Sequence, residues 1–207
     1  MTVCWRSQGC TPGNEASPNW QEASPIPIIA SSARQDNVTA MNTDLRAAAL
    51  LRTEEIIAEH GWAVQGVLGG PQDGGGFSYT IGLSRTLGHP EIFIAGFDHE
   101  LQRRLLNDVG RLIKDGEDFS RPRLADRVVR DFNVAFRPLL PASVQKHGGI
   151  GLDVLGDFDA VQMFLPDPSG KFPWDLGCKR SYVTVQTYLL EVSGPIPGSD
   201  EHRAGLN

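Results

Sequence analysis

Phe77-Ser78-Tyr79-Thr80-Ile81-Gly82-Leu83, then Ser84-Arg85-Thr86-Leu87-Gly88-His89-Pro90, then Glu91-Ile92-Phe93-Ile94-Ala95-Gly96-Phe97 is the stretch that decides the fold. β-Branched and aromatic residues fill the first and third pieces, and Gly88 and Pro90 punctuate the second, so the stretch reads strand, loop, strand. Alternation places Tyr79, Ile81 and Leu83 on one strand face and Thr80 and Gly82 on the other. Gly82 marks a bulge or tight packing contact, or room for a flat ligand, with close packing the favoured reading.

Upstream, Asn42 or Thr43 can cap a helix in which Leu45, Ala49, Leu50, Ile56 and Ile57 recur at helical spacing, with Gly61 as its stop. Trp62 to Leu68 reads as a strand and Gly69 to Gly76 as a turn-rich loop. Downstream, Asp98 caps a strongly amphipathic helix carrying Leu101, Leu105, Val109, Leu112 and Ile113, closed by Gly116. Arg127 to Arg137 alternates as one strand, and Ser143 to Leu155 holds a short helix broken at Gly148 and Gly149. Ala160 to Leu165 is a strand, Pro166 to Gly170 a turn, and Tyr182 to Val192 a final alternating strand.

Strands joined by short turns, with helices outside them, predict a single α+β domain on a mostly antiparallel sheet. The expected domain spans residues 41–192. Residues 1–40, rich in Ser, Pro, Asn, Gln and Gly and without periodicity, are expected to form a disordered leader, and 193–207 a flexible tail. Met41 stands directly before the first periodic segment and is a candidate alternative start.

The 207 residues carry a net charge of -6, which disfavours phosphate backbones, so small molecules or proteins are the expected partners and nucleic acid is not. Cys4, Cys10 and Cys178 give neither zinc spacing nor a disulfide framework, which fits a reducing cytoplasm. No apolar run reaches the roughly 20 residues of a spanning helix, so no membrane partner is expected.

Chemistry concentrates in two places. Arg85, His89 and Glu91 bring a cation, a base of near-neutral pKa and a carboxylate to one loop: His89 as general base and Glu91 as its orienting partner would be catalytic, with Arg85 anchoring an anionic substrate. The competing reading has Arg85 and Glu91 tying the loop down. In Pro166 to Trp174, Asp167 and Trp174 are candidate substrate contacts together with Tyr79, whereas Phe172 and Trp174 can equally plug the core. The two places would make one pocket if they pack together. His89, Glu91, Asp98 and His99 match no metal-site spacing, and no nucleotide or flavin fingerprint is present, so neither metal nor cofactor is expected. Gly76-Phe77-Ser78-Tyr79-Thr80 lacks the last glycine of a nucleophile elbow, which argues against Ser78 as a nucleophile.

Several pieces together resemble the bacterial domain of unknown function 4262 family. They are His60-Gly61-Trp62, Phe77 to Leu83, His89-Pro90-Glu91 with Gly96 after it, and Gln162-Met163-Phe164-Leu165-Pro166-Asp167-Pro168-Ser169-Gly170-Lys171-Phe172-Pro173-Trp174. The resemblance runs from about Met41 to about Tyr188, implies one compact domain and brings no assigned reaction or catalytic residue. Two functions follow as expectations: binding or acid/base transformation of an organic small molecule near the Arg85–Glu91 loop, or a non-catalytic accessory or protein-interaction module.

Overall fold

The computed structural model describes residues 32–69 and 76–187. Residues 1–31, 70–75 and 188–207 lie outside that description, and with them most of the expected leader, most of the Gly69 to Gly76 loop and the whole expected tail.

The stretch that decides the fold forms β2 (Phe77–Ile81), α2 (Leu83–Leu87) and β3 (Glu91–Ala95). Before it come α1 (Ser32–His60) and β1 (Ala63–Val67); after it come α3 (His99–Lys114), β4 (Arg123–Val129), β5 (Phe132–Pro138), α4 (Pro141–His147), α5 (Gly149–Leu155), β6 (Ala160–Phe164) and α6 (Arg180–Thr187). The strands make one open sheet in the order β1-β2-β3-β6-β5-β4. Every pairing is antiparallel except β3 with β6, where Glu91 lies opposite Ala160. The domain is α+β, as expected.

Alternation divides the sheet into two packed faces. Ile92, Ile94, Val134, Phe136, Val161 and Met163 meet Leu105, Leu106, Val109 and Ile113 of α3. Phe77, Tyr79, Ile81, Phe93 and Ala160 point the other way, against Ile57 of α1, Val144 of α4 and α5. Farther along that second face, Phe172 and Trp174 stack at 5.1 Å and Trp174 sits edge-on to Phe164 at 5.1 Å, so this aromatic pair plugs the sheet. Burying an aromatic ring stabilises by about 1.5 to 3 kcal/mol, so these plugs weigh heavily in a domain of this size.

Four local expectations are corrected. The first helix opens at Ser32, not at Asn42 or Thr43. The Ser84 to Pro90 loop is largely the helix α2, which Gly82 (φ 116°) and Gly88 (φ 66°) delimit. At Gly82 a Cβ would stand 3.1 Å from the Gly61 carbonyl oxygen and 3.1 Å from Ile57 Cγ2, which is the tight packing contact and leaves no space for a ligand. Arg127 to Arg137 is two strands, because Asp131 takes a left-handed backbone (φ 64°) and turns the chain into a hairpin closed by Val129 opposite Phe132.

The fourth concerns Tyr182 to Val192, whose described part belongs to helix α6. Val183 and Val185 gave it strand character, but Tyr182, Val185 and Gln186 also fall at the spacing of one helix face, and that face is used. Tyr182 meets Phe97, Val185 fills the space at Gly96, and the Gln186 amide bonds both the N–H and the carbonyl of Leu165.

Candidate functional site

Glu91 opens β3 fully buried, and five donors surround its carboxylate. Oε1 accepts from the N–H groups of Gly82 (3.0 Å) and Ser84 (3.0 Å) and from the Ser84 hydroxyl (2.8 Å). Oε2 accepts from the Thr80 hydroxyl (2.7 Å) and the Leu83 N–H (3.3 Å). Thr80 in turn takes the Ile92 N–H at 2.9 Å, replacing a rung of the β2–β3 ladder. Glu91 thus satisfies the opening N–H groups of α2, which otherwise have no partner inside so short a helix. Burial pushes its carboxyl above the ordinary glutamate value, and the N–H and hydroxyl donors oppose that shift.

His89 is also buried, and both ring nitrogens are committed. Nδ1 bonds the Pro90 carbonyl at 2.7 Å, so it carries the proton, and Nε2 accepts the Phe119 N–H at 2.9 Å. The ring sits edge-on to Phe119 with the Asp118 carboxylate 3.7 Å away, and burial lowers its pKa. No hydrogen bond joins His89 to Glu91. Arg85 points outward and clasps Glu54 of α1 through both terminal guanidinium nitrogens, Nη1 and Nη2, at 3.1 and 2.6 Å. The loop is therefore tied down, but by Arg85 with Glu54 and by Glu91 with backbone, not by Arg85 with Glu91.

The remaining candidates lie elsewhere. Tyr79 is buried on the opposite sheet face from α3, donating to Gly148 O at 2.6 Å and accepting from Gly151 N at 3.2 Å, with its ring stacked 4.6 Å from Phe93; burial raises its pKa. Asp167 shapes the turn after β6, where the Ser169 hydroxyl and the N–H groups of Lys179, Lys171 and Ser169 hold its carboxyl well below the usual carboxylate range. Trp174 takes the Arg137 guanidinium over its ring at 5.5 Å. Because β3 and β6 run parallel and in register from Glu91 and Ala160, Asp167 lies beyond the far end of the sheet from Glu91. One strand of five residues spans about 16 Å. The two polar loops do not form one pocket.

Asp167 lines a mostly apolar pocket of about 260 Å³ with Phe97, Leu101, Phe132, Leu165 and Tyr182, and a larger concave surface lies at β1. A groove of about 660 Å³ is lined by Ile56 and His60 of α1, Trp62, Ala63 and Val64, and Arg103, Asn107, Arg111 and Lys114 of α3. It continues into a shallower pocket of about 160 Å³, lined by Val64, Gly66, Leu68, Ser78, His99 and Arg103. The buried Trp62 ring lies against α3 because residue 110 is glycine: a Cβ there would fall 2.6 Å from the ring. Trp62 Nε1 donates to Asn107 Oδ1 at 3.1 Å. Among the described residues, cationic and titratable side chains line the groove and no carboxylate does, while Glu100 and Asp108 pair with Arg103 and Arg111 beside it.

A family profile, Domain of unknown function (DUF4262), matches residues 56–179. The chain belongs to the DUF4262 family. The match covers all six strands and both walls of the β1 groove. No curated protein and no solved structure matches the chain.

In this DUF4262 domain Ser78 and His99 stand 3.3 Å apart at the shallow pocket, a juxtaposition that invites comparison with a nucleophile and its base. The proton arrangement decides against it. Gln102 Nε2 donates to the carbonyls of Gly96 and Phe97, so Gln102 Oε1 must accept, and it takes the Ser78 hydroxyl proton. His99 Nδ1 is then the donor to Ser78 Oγ and cannot remove its proton.

Of the groove residues, the sequence marks His60 and Trp62 only through the family resemblance and does not single out Arg103, Asn107, Arg111 or Lys114. Their signal was present as Arg103, Asn107 and Arg111, four residues apart on the face of α3 next to its apolar stripe.

Proposed function

We propose that this DUF4262 domain is a non-catalytic module that recognises another protein through the groove between the end of α1 and α3. The observation that carries the reading is the contrast between a groove of about 660 Å³ walled by His60, Arg103, Arg111 and Lys114 and the closed surroundings of His89 and Glu91. A general base needs a lone pair within reach of substrate, and both nitrogens of His89 face its own backbone. On a chain of net charge -6, a groove lined without a carboxylate favours an acidic partner surface.

A photo-crosslinking amino acid placed at Asn107, with the same group at the exposed Leu176 as control, tests the reading in cells. The expected result is an adduct to one identified polypeptide from position 107 alone, lost when Arg111→Glu and Lys114→Glu are added. Equal labelling from both positions, or an enzymatic activity abolished by a folded His89→Ala variant, would overturn it.

A further inference from the structure

We infer that β1 receives an added strand: an extended acidic segment of a partner protein pairs with its open edge while its carboxylates meet the cations of α3. This rests on the module reading above and names the kind of segment the groove takes.

The inference begins with the two edges of the sheet. β4 is guarded in the ways that edge strands usually are. Its register is broken between Ala125 and Val129, and Arg123 and Arg127 of this strand both reach Glu117, at 3.6 and 2.6 Å. β1, Ala63-Val64-Gln65-Gly66-Val67, has a continuous register with β2, no proline and no charged residue. Among the described residues nothing pairs with its other side. The Gln65 side-chain amide donates to the Gly66 carbonyl at 2.8 Å, and an edge that no described strand covers offers its other backbone donors and acceptors to a visiting strand.

The flanking helix fits such a strand in spacing as well as charge. Trp62 packs at Gly110 near one end of α3, and Gly66 faces His99 Nδ1 at the other, where a Cβ would stand 3.3 Å away. α3 therefore runs antiparallel to β1 along its whole length. Arg103, Asn107 and Arg111 recur every four helical residues, about 6 Å of rise, while alternate residues of a strand recur about every 6.6 Å. A strand laid on β1 with side chains at alternate positions stays in step with Arg103, Asn107 and Arg111, so acidic residues two pairs apart meet Arg103 and Arg111. Arg103 and Arg111 also pair with neighbouring acids on α3, Glu100 at 2.8 Å and Asp108 at 2.5 Å, so an incoming carboxylate shares each guanidinium with an exposed pair of small worth.

The test is a titration of the isotopically labelled full chain, read by NMR and amide exchange, with a peptide that carries glutamate at every second position. Three comparison ligands accompany it: the same peptide with lysine, the glutamate peptide N-methylated at alternate amides, and a single-stranded oligonucleotide. Slower exchange of Ala63–Val67 amides with the glutamate peptide only, and affinity lower by at least about tenfold in the Arg103→Glu/Arg111→Glu variant, is the expected result. Equal binding of the N-methylated peptide, with shifts confined to α3, would overturn strand addition and leave the groove reading standing. Failure of the glutamate peptide to bind, or oligonucleotide binding in its place, would overturn both. Concentration-dependent pairing of the chain through β1 would show that a second copy takes the edge and would overturn the acidic occupant.

Discussion

Two regions of this domain are rich in polar side chains, and they spend them in opposite directions. At the start of β3, Thr80, Ser84, His89 and Glu91 turn inward and hydrogen-bond the chain's own backbone and one another. Along α3, Arg103, Asn107, Arg111 and Lys114 turn outward over β1 and wall a groove. The first region has the residue types of an active site and none of the access. The second has ordinary surface residues in a concave arrangement. Residue type alone therefore does not mark an accessible surface here; the direction in which donors and acceptors point does.

If the comparison holds, substitutions in the inward region change stability and leave recognition intact, and those in the outward region do the reverse. Glu91→Ala has the largest expected effect. It strands five donors in a buried position and should cost about 3 kcal/mol or more, read as a fall in the urea midpoint without change in slope. Gly110→Ala sharpens the comparison from the other side, since the new methyl group collides with Trp62 beneath the groove. Overpacking of this kind costs about 2 kcal/mol, and Trp62 fluorescence should shift with it. This is the groove position where stability and recognition should fall together.

His89→Ala is expected to cost about 1.5 kcal/mol by orphaning the Phe119 N–H. It also carries a pH signature. The pKa of His89 is lowered in the folded chain, chiefly by burial, so its contribution is complete above the unfolded value of about 6.5 and is lost as pH falls through that value toward the folded one. Urea midpoints at pH 7.5 and 5.5 should differ in the parent by more than in His89→Gln; equal differences would show that His89 does not titrate with unfolding. The smallest expected effect belongs to Arg85→Ala, which breaks an ion pair with Glu54 whose two side chains are 42% and 47% exposed. About 0.5 kcal/mol or less should be lost, with no change in peptide binding. A loss of binding comparable to that in Arg111→Glu would erase the distinction between the two regions.

Most of the scaffold was legible in the residues themselves. β-Branched and aromatic residues in Phe77 to Leu83 and Glu91 to Phe97 placed two strands, and Asp98 with Gly116 bounded α3, because both signals are local. The break at Gly148 and Gly149 was legible for the same reason. Tyr182 to Thr187 was misread because a short window with Val183 and Val185 fits both periods. Its helical state is decided by what Gln186 and Tyr182 touch, which are distant residues. The site was less legible still. Arg85, His89 and Glu91 lie close in sequence, yet the turn that joins them sends one outward and two into separate backbone networks. Conversely, the groove brings His60 and Trp62 to Arg103 and Lys114 across more than forty positions, a proximity that only the packing of α3 on β1 creates.

The unequal borders of the sheet also govern how far association can go. With β4 guarded by its bulge and its arginine–glutamate pairs, β1 is the one border among the described residues left open to a neighbour. Such a particle has a valence of one. A visiting segment, or a second copy, saturates it in a single step and leaves no further edge on which a filament can grow.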